Sequence, residues 1–282
     1  MIALTLEDVL VHQVNVPWPE LYQVEQDLLL GLTICAIFQD KFLSAQVAMR
    51  GGTVLHKVHL APAARYSEDV DLVVVGERPE QHIKKALMRV LRGVLGKEQS
   101  SAWMAMKLAV RNAARPSRIL RCVFRVPSVA ETGRMLIIEV EVNVTERTPR
   151  FELQRLPFEL EFRGNTALVT IVSYNINEML GTKMRAMFQR KKGRDLFDLY
   201  WALTSQSTAS VDPGQVVLAF THYMQDEDTH VSRQDFLAHL HECVADKAGF
   251  CQDMAALLKH DLNYQPEEAA STVESRLLAL LP

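Results

Sequence analysis

Residues 65–75 read RYSEDVDLVVV, and they restrict the possible folds of this 282-residue chain more than any other stretch. Val70 to Val75 is short, apolar and valine-rich, bounded by Gly76 and Pro79, and reads as a buried β-strand. Three acids, Glu68, Asp69 and Asp71, crowd the mouth of that strand. Side chains two apart on a strand share a face, so Asp69 and Asp71 are expected to point together and Glu68 away. Two oxygen donors on one rigid edge suit a hard cation, Mg²⁺ or Mn²⁺. An isolated Asp-x-Asp is short and common, however, and solvated carboxylates at a strand start also account for it.

Two further features bear on that choice. Gly51-Gly52-Thr53 lies 16 residues before Asp69, counted from Thr53. A Gly-Gly-Thr turn lets backbone N–H groups approach a phosphate and adds a hydroxyl donor; a plain helix C-cap uses glycine too. In IIEVEVN, Glu139 and Glu141 alternate with Ile138, Val140 and Val142. If that strand lies beside the first, one of the two glutamates completes a three-carboxylate site, and Glu141 is favoured over Glu139. A solvated edge-strand face is the competing account.

Periodicity divides the chain. Glu20 to Arg50 has helical spacing. Pro79 to Leu95 reads as an amphipathic helix, and Arg118–Val126, Arg134–Val144 and Leu168–Val172 as strands. Beyond Asn175 the pattern is helical throughout, near 175–190, 194–204, 213–225, 232–246 and 266–280, with a polar linker at 204–214. The expected fold is α+β, a mixed sheet with flanking helices over residues 1–174 followed by a helical domain over 175–282. Charge divides similarly. From Leu199 onward there are 12 acidic and 4 basic residues, leaving the first 198 residues at +5 against −8 for the rest. A basic working surface and an acidic appendage fit this asymmetry, and so do two solvated surfaces.

The cations cluster. Lys183, Arg185, Arg190, Lys191, Lys192 and Arg194 fall within twelve residues that contain no acid, which suits triphosphate or RNA backbone. Asp195 and Asp198 follow, three apart and on one helix face. One of them could accept from Lys183 or Arg194 or act as a base; helix capping by Asp195 and a structural salt bridge by Asp198 are the alternatives. A second basic run comprises Lys107, Arg111, Arg115, Arg118, Arg121 and Arg125, with Arg111 and Arg115 on one face if the segment is helical. It reads equally as a nucleic-acid track and as a solvated basic face.

Together, GGTVLHKVH, RYSEDVDL and KMRAMFQRKKGRDLFDLYWAL resemble the nucleotidyltransferase superfamily and, more narrowly, the AbiEii/AbiGii toxin family, which includes the MenT toxins, over roughly residues 45–205. The resemblance implies a two-lobed fold and Mg²⁺-dependent transfer of a nucleotide from an NTP to an acceptor, in some members tRNA, under restraint by a cognate antitoxin. It implies that Asp69 and Asp71 bind metal, that Gly52 and Thr53 hold the triphosphate, that Lys183 neutralises phosphate charge, and that Asp195 and Asp198 form the family's Asp-x-x-Asp pair. One position departs from the pattern: a family lysine two residues before that pair is here Gly193, with Lys192 one step earlier.

The candidate site is therefore Asp69, Asp71, Lys183, Asp195 and Asp198 for catalysis. Gly51, Gly52, Thr53, Lys183 and Arg194 are the candidates for the nucleotide, and Asp69, Asp71 and Glu141 for metal. Arg111, Arg115, Arg190, Lys191 and Lys192 are candidate RNA contacts. The expected activity is NMP transfer to an RNA 3′ end. A phosphotransferase and a degenerate nucleotide-binding module are the rivals. No apolar run reaches membrane-spanning length, the opening MIALTLEDVL lacks the basic start of a signal peptide, and the four cysteines lack metal spacing. A cytoplasmic chain with reduced thiols is expected.

Overall fold

The computed structural model describes residues 1–106, 117–205, 210–254, 256–259 and 262–282. The basic-run residues Lys107, Arg111 and Arg115 lie outside the described residues.

Helix α1 (Leu6–Gln13) starts at a capping box in which Thr5 and Asp8 satisfy each other's backbone N–H groups. Helix α2 (Leu21–Gln39) is apolar on almost every side and runs through the core. By length and composition it could cross a membrane, yet nearly all of it is buried inside the protein. Its end corrects the reading of Glu20–Arg50 as helical. The Asp40 carboxylate accepts from the Phe42 and Leu43 N–H groups and turns the chain, and Val47–Arg50 becomes strand β1. β1 is enclosed on both faces, with Val47, Ala48 and Met49 wholly buried. Three successive apolar residues before Arg50 carry no alternation to tell strand from helix.

After β1 come a helical turn, α3 (Gly51–Val54), continued directly by a π-helical turn over Leu55–His59, then a loop and strand β2 (Asp69–Val74). Helix α4 (Glu80–Leu95) buries Ile83, Leu87, Leu91 and Val94 at helical spacing and stops at Gly96, whose φ is +85°. Strands β3 (Glu98–Met106), β4 (Ser117–Pro127), β5 (Met135–Asn143), β6 (Gln154–Phe162) and β7 (Asn165–Ser173) follow. One seven-stranded mixed sheet results, in the order β3-β4-β5-β2-β1-β7-β6. β3 and β6, which periodicity misses, are its two edges; Pro157 in β6 is tolerated because an edge strand can spare an N–H. Helices α2 and α4 cover one face. Leu136, Ile138, Val140 and Val142 of β5 point into that core, so Glu139 and Glu141 point to the other side.

From Asn175 the described residues are helical: α5 (Ile176–Gln189), α6 (Gly193–Thr204), α7 (Pro213–Gln225), α8 (Arg233–Ala245) and α9 (Pro266–Arg276). Side chains cap several of their starts: Asn175 for α5, Asp212 before Pro213 for α7, and Ser232 with Asp235 for α8. A continuous apolar core joins the sheet to these helices, from Leu72 and Val140 through Met184 and Leu199 to Phe220 and Val273. All four cysteines are free thiols.

Candidate active site

The uncovered sheet face and helix α5 enclose a cleft of about 480 Å³, within the range of small-molecule sites. Its sheet wall is acidic. β2 and β5 run parallel with Asp69 opposite Glu139 and Asp71 opposite Glu141, so four carboxylates form two adjacent rows. Burial first, then the charges of Asp71 and Glu139, pushes Asp69 up to about 7, against the pull of Arg194. Burial and Asp71 also raise Glu141. Glu68 differs from the strand-alternation expectation. It precedes the first residue of β2, is exposed, and lines the cleft.

Gly51 sits where the β1 end meets this wall. Its φ is +84°, and a Cβ there would lie 2.0 Å from Asp71 Oδ2. Both the backbone conformation and the approach of the carboxylate demand glycine. A Cβ on Gly52 would lie 2.5 Å from Arg65 Nη2. Thr53 departs from the expected phosphate contact. It is fully buried, and its hydroxyl donates to the Asp69 carbonyl oxygen and lies 2.8 Å from the Ser67 hydroxyl. It fixes the start of β2 and does not line the cleft.

The opposite wall is cationic and rests on two buried acids. Lys183 Nζ lies 2.8 Å from Asp198 Oδ2 and 3.3 Å from Asp195 Oδ1. Arg190 forks onto Asp195 at 2.8 and 3.0 Å, and Arg65 forks onto Asp198 at 2.6 and 2.8 Å. His56 Nε2 donates to Asp198 Oδ1 at 2.8 Å; burial keeps the ring below its usual pKa and neutral. Burial alone would raise both aspartates. Lys183 and Arg190 override it at Asp195, and Arg65 and Lys183 at Asp198, holding both below the usual carboxylate range. Both acids are fully buried and neither lines the cleft. They hold the cations that do, Lys183, Arg190 and Arg65, and Asp195 is not the N-cap of α6, a position held by Lys192.

The remaining candidates separate. Arg194 lines the cleft. Lys191 is exposed and pairs with Glu242, away from it. Gly193 packs so tightly that a Cβ would meet the Phe250 carbonyl oxygen at 2.3 Å, so no lysine fits there. Sequence reasoning missed Arg65 and His56, whose partner Asp198 lies 133 and 142 residues away. It also missed Arg50, tied to Glu146 at the inner end of the cleft.

Arg121 was read as part of a basic run, and its place is more particular. It projects from β4 onto the acidic wall, donating to Glu139 from two nitrogens and lying 3.3 Å from Glu141. Among the described residues, no three His, Cys, Asp or Glu side chains converge as a ready-made metal cage. What stands ready is the Asp69 and Asp71 pair, hard oxygen donors whose repulsion outweighs the pull of Arg194 and leaves Asp69 raised, and this donor chemistry fits a divalent ion.

The sequence model of one family, described as "Nucleotidyl transferase AbiEii toxin, Type IV TA system", matches residues 34–274. A search of curated proteins by sequence returns no match. Among solved structures the chain is similar to MenT4, a nucleotidyltransferase toxin from Mycobacterium tuberculosis H37Rv, at 15% identity and a TM-score of 0.53, with 99% of this chain and 100% of that chain covered. That likeness is one of fold: the mixed sheet and flanking helices are shared. The match to the family covers most of the chain, and the chain belongs to the AbiEii nucleotidyltransferase toxins of type IV toxin–antitoxin systems.

Proposed function

We propose that the chain transfers a nucleoside monophosphate from an NTP to an acceptor hydroxyl at the 3′ end of an RNA, with tRNA the acceptor class, releasing pyrophosphate as the toxic activity that a cognate antitoxin restrains. The observation that carries this reading is the meeting of two charge fields in one cleft, paired carboxylates on β2 and β5 against Lys183, Arg190 and Arg65. Residues 1–174 are then the catalytic lobe, and residues 175–282 supply the phosphate-side wall.

Each group has a task in this reading. The Gly51-Gly52 turn opens α3, whose first N–H groups lack helical partners and can donate to phosphate oxygens. Lys183, Arg190, Arg65 and Arg194 neutralise the triphosphate. Asp195 and Asp198 keep three of those cations assembled before substrate arrives, so little reorganisation accompanies reaction. Asp69 and Asp71 would hold Mg²⁺ or Mn²⁺, joined by Glu141. Such an ion supplies charge for the leaving pyrophosphate and acidifies the attacking hydroxyl. Arg121 and Arg190 at the cleft supply cations for an RNA backbone.

The test is incubation of the protein with each NTP, labelled at either the α- or the γ-phosphate, in Mg²⁺ with total RNA. The α-label is expected in RNA and the γ-label in free pyrophosphate. Transfer of the γ-label would make the chain a phosphotransferase, and binding without turnover a nucleotide-binding module.

A further inference from the structure

Arg121 is placed to act on the proposed cation site through the glutamates beside it. Its β4 register partner is Glu141, and the β2 partner of Glu141 is Asp71. Its Nε donates to Glu139 Oε2 at 3.0 Å, Nη2 donates to the same oxygen, and Nε lies 3.3 Å from Glu141 Oε1. Of the four carboxylates in these rows, Arg121 binds Glu139 and Glu141 directly, and Asp69 and Asp71 lie beside them on β2.

Two contrasts show that the contact is built to be exchanged. Arg65 is 3% exposed and locked by a bidentate pair with a fully buried acid, as a permanent part of the cation wall. Arg121 is 37% exposed, and its two acids are partly exposed as well. Pairs of that kind are weak, because water screens them and replaces them at little cost. Its grip is also uneven, with two hydrogen bonds to Glu139 and one longer contact to Glu141.

We propose that Arg121 is a place-holding cation, which keeps Glu139 and Glu141 drawn toward β4 in the ion-free protein and yields Glu141 to a divalent cation bound at Asp69 and Asp71. The inference rests on the metal reading of Asp69 and Asp71 given above. The ion and the guanidinium compete for one carboxylate, so the ion-free site is pre-charged yet binds a bare cation weakly. A cation arriving with a triphosphate brings its own ligands and needs Glu141 less, so Arg121 biases the site toward loading ion and nucleotide together.

Competition has a measurable sign. Manganese binding to the full chain without nucleotide, followed by the electron paramagnetic resonance of free Mn²⁺, is compared for the wild type and the Arg121→Gln, Arg121→Lys, Glu141→Gln, Arg121→Gln/Glu141→Gln and Asp69→Asn variants. Arg121→Gln should bind Mn²⁺ roughly five- to tenfold more tightly, the scale on which one nearby charge acts in a partly exposed site. Arg121→Lys, which keeps the charge without the fork, should fall between it and the wild type. The gain should vanish in the double variant, because it acts through Glu141. Equal or weaker binding by Arg121→Gln would overturn the proposal, as would a gain that survives in the double variant, where Glu141 can no longer supply it. If Asp69→Asn binds Mn²⁺ as the wild type does, or the wild type binds none, the Asp69 and Asp71 cation site itself fails and the place-holder with it. Arg121 lies on an open sheet face, and circular dichroism of each variant confirms that the sheet is intact.

Discussion

Asp69 and Gly51 show how much one residue can report. Asp69 titrates near 7 because burial, Asp71 and Glu139 all disfavour its charge. Its folded pKa lies above the ordinary 3.8, so between pH 3.8 and about 7 the folded chain holds a proton that the unfolded chain has lost. Without divalent ions, stability should therefore fall as pH rises through that window and stay lower above it. Asp69→Asn should be more stable than wild type at pH 8, by about 1–2 kcal/mol once screening is allowed for, and the difference should close by pH 4. Thermal melts of both proteins in chelator across this range check the sign. Gly51→Ala should lose both activity and stability, because φ is +84° and the new Cβ would meet Asp71 Oδ2; melting and transfer assays on that variant should fall together. The gathering of Asp69, Asp71, Gly51 and Lys183 at one cleft was legible in the sequence because each sits in a short pattern with a local physical reason. Arg65, His56 and the inward turn of Thr53 were not, since their partners come from sheet pairing and helix docking across long separations.

Among the elements, α5 and α6 form the scaffold of the phosphate side. Asp198 on α6 holds Arg65, Lys183 and His56 together, and Asp195 holds Lys183 and Arg190. Removing one partner from such a buried cluster strands the others, which typically costs about 3–5 kcal/mol. Asp198→Asn should therefore be strongly destabilised in chemical denaturation. Lys183→Met should unfold closer to wild type, because Arg65 and Arg190 still satisfy both acids, while transfer drops by at least about a hundredfold with the loss of a cation poised for the phosphates. Gly193→Lys, which places a lysine where the resemblance implies one, should destabilise α6 against the Phe250 carbonyl without adding activity; a melt and a transfer assay separate the two effects. The long helices and the alternating strand β5 were plain from periodicity. β1, β3 and β6 were not: β1 is too short, with three apolar residues in a row that show no alternation, and the other two are edge strands whose mixed faces blur the pattern. Glu68 was misplaced for a related reason, since strand alternation was applied one residue before the strand begins.

Over the whole molecule, charge follows the proposed work. The first 198 residues carry +5 and the remainder −8. The cleft between the sheet and α5 draws seven cations to its lining, Arg50, Arg65, Arg121, Lys183, Arg185, Arg190 and Arg194. An RNA acceptor engaged by such a surface should be labelled progressively less efficiently as salt rises, because phosphate contacts release counterions. The Asp69 and Asp71 carboxylates beside cations already assembled on buried acids describe a site prepared for a metal-bound triphosphate, and that is the central claim. Its most direct test is transfer of α-labelled nucleotide to RNA in Mg²⁺ by wild type and Asp69→Asn, with both proteins shown to be folded. Labelled RNA with wild type and a loss of at least about a thousandfold with Asp69→Asn is the predicted result. Undiminished labelling by the folded variant would contradict the account.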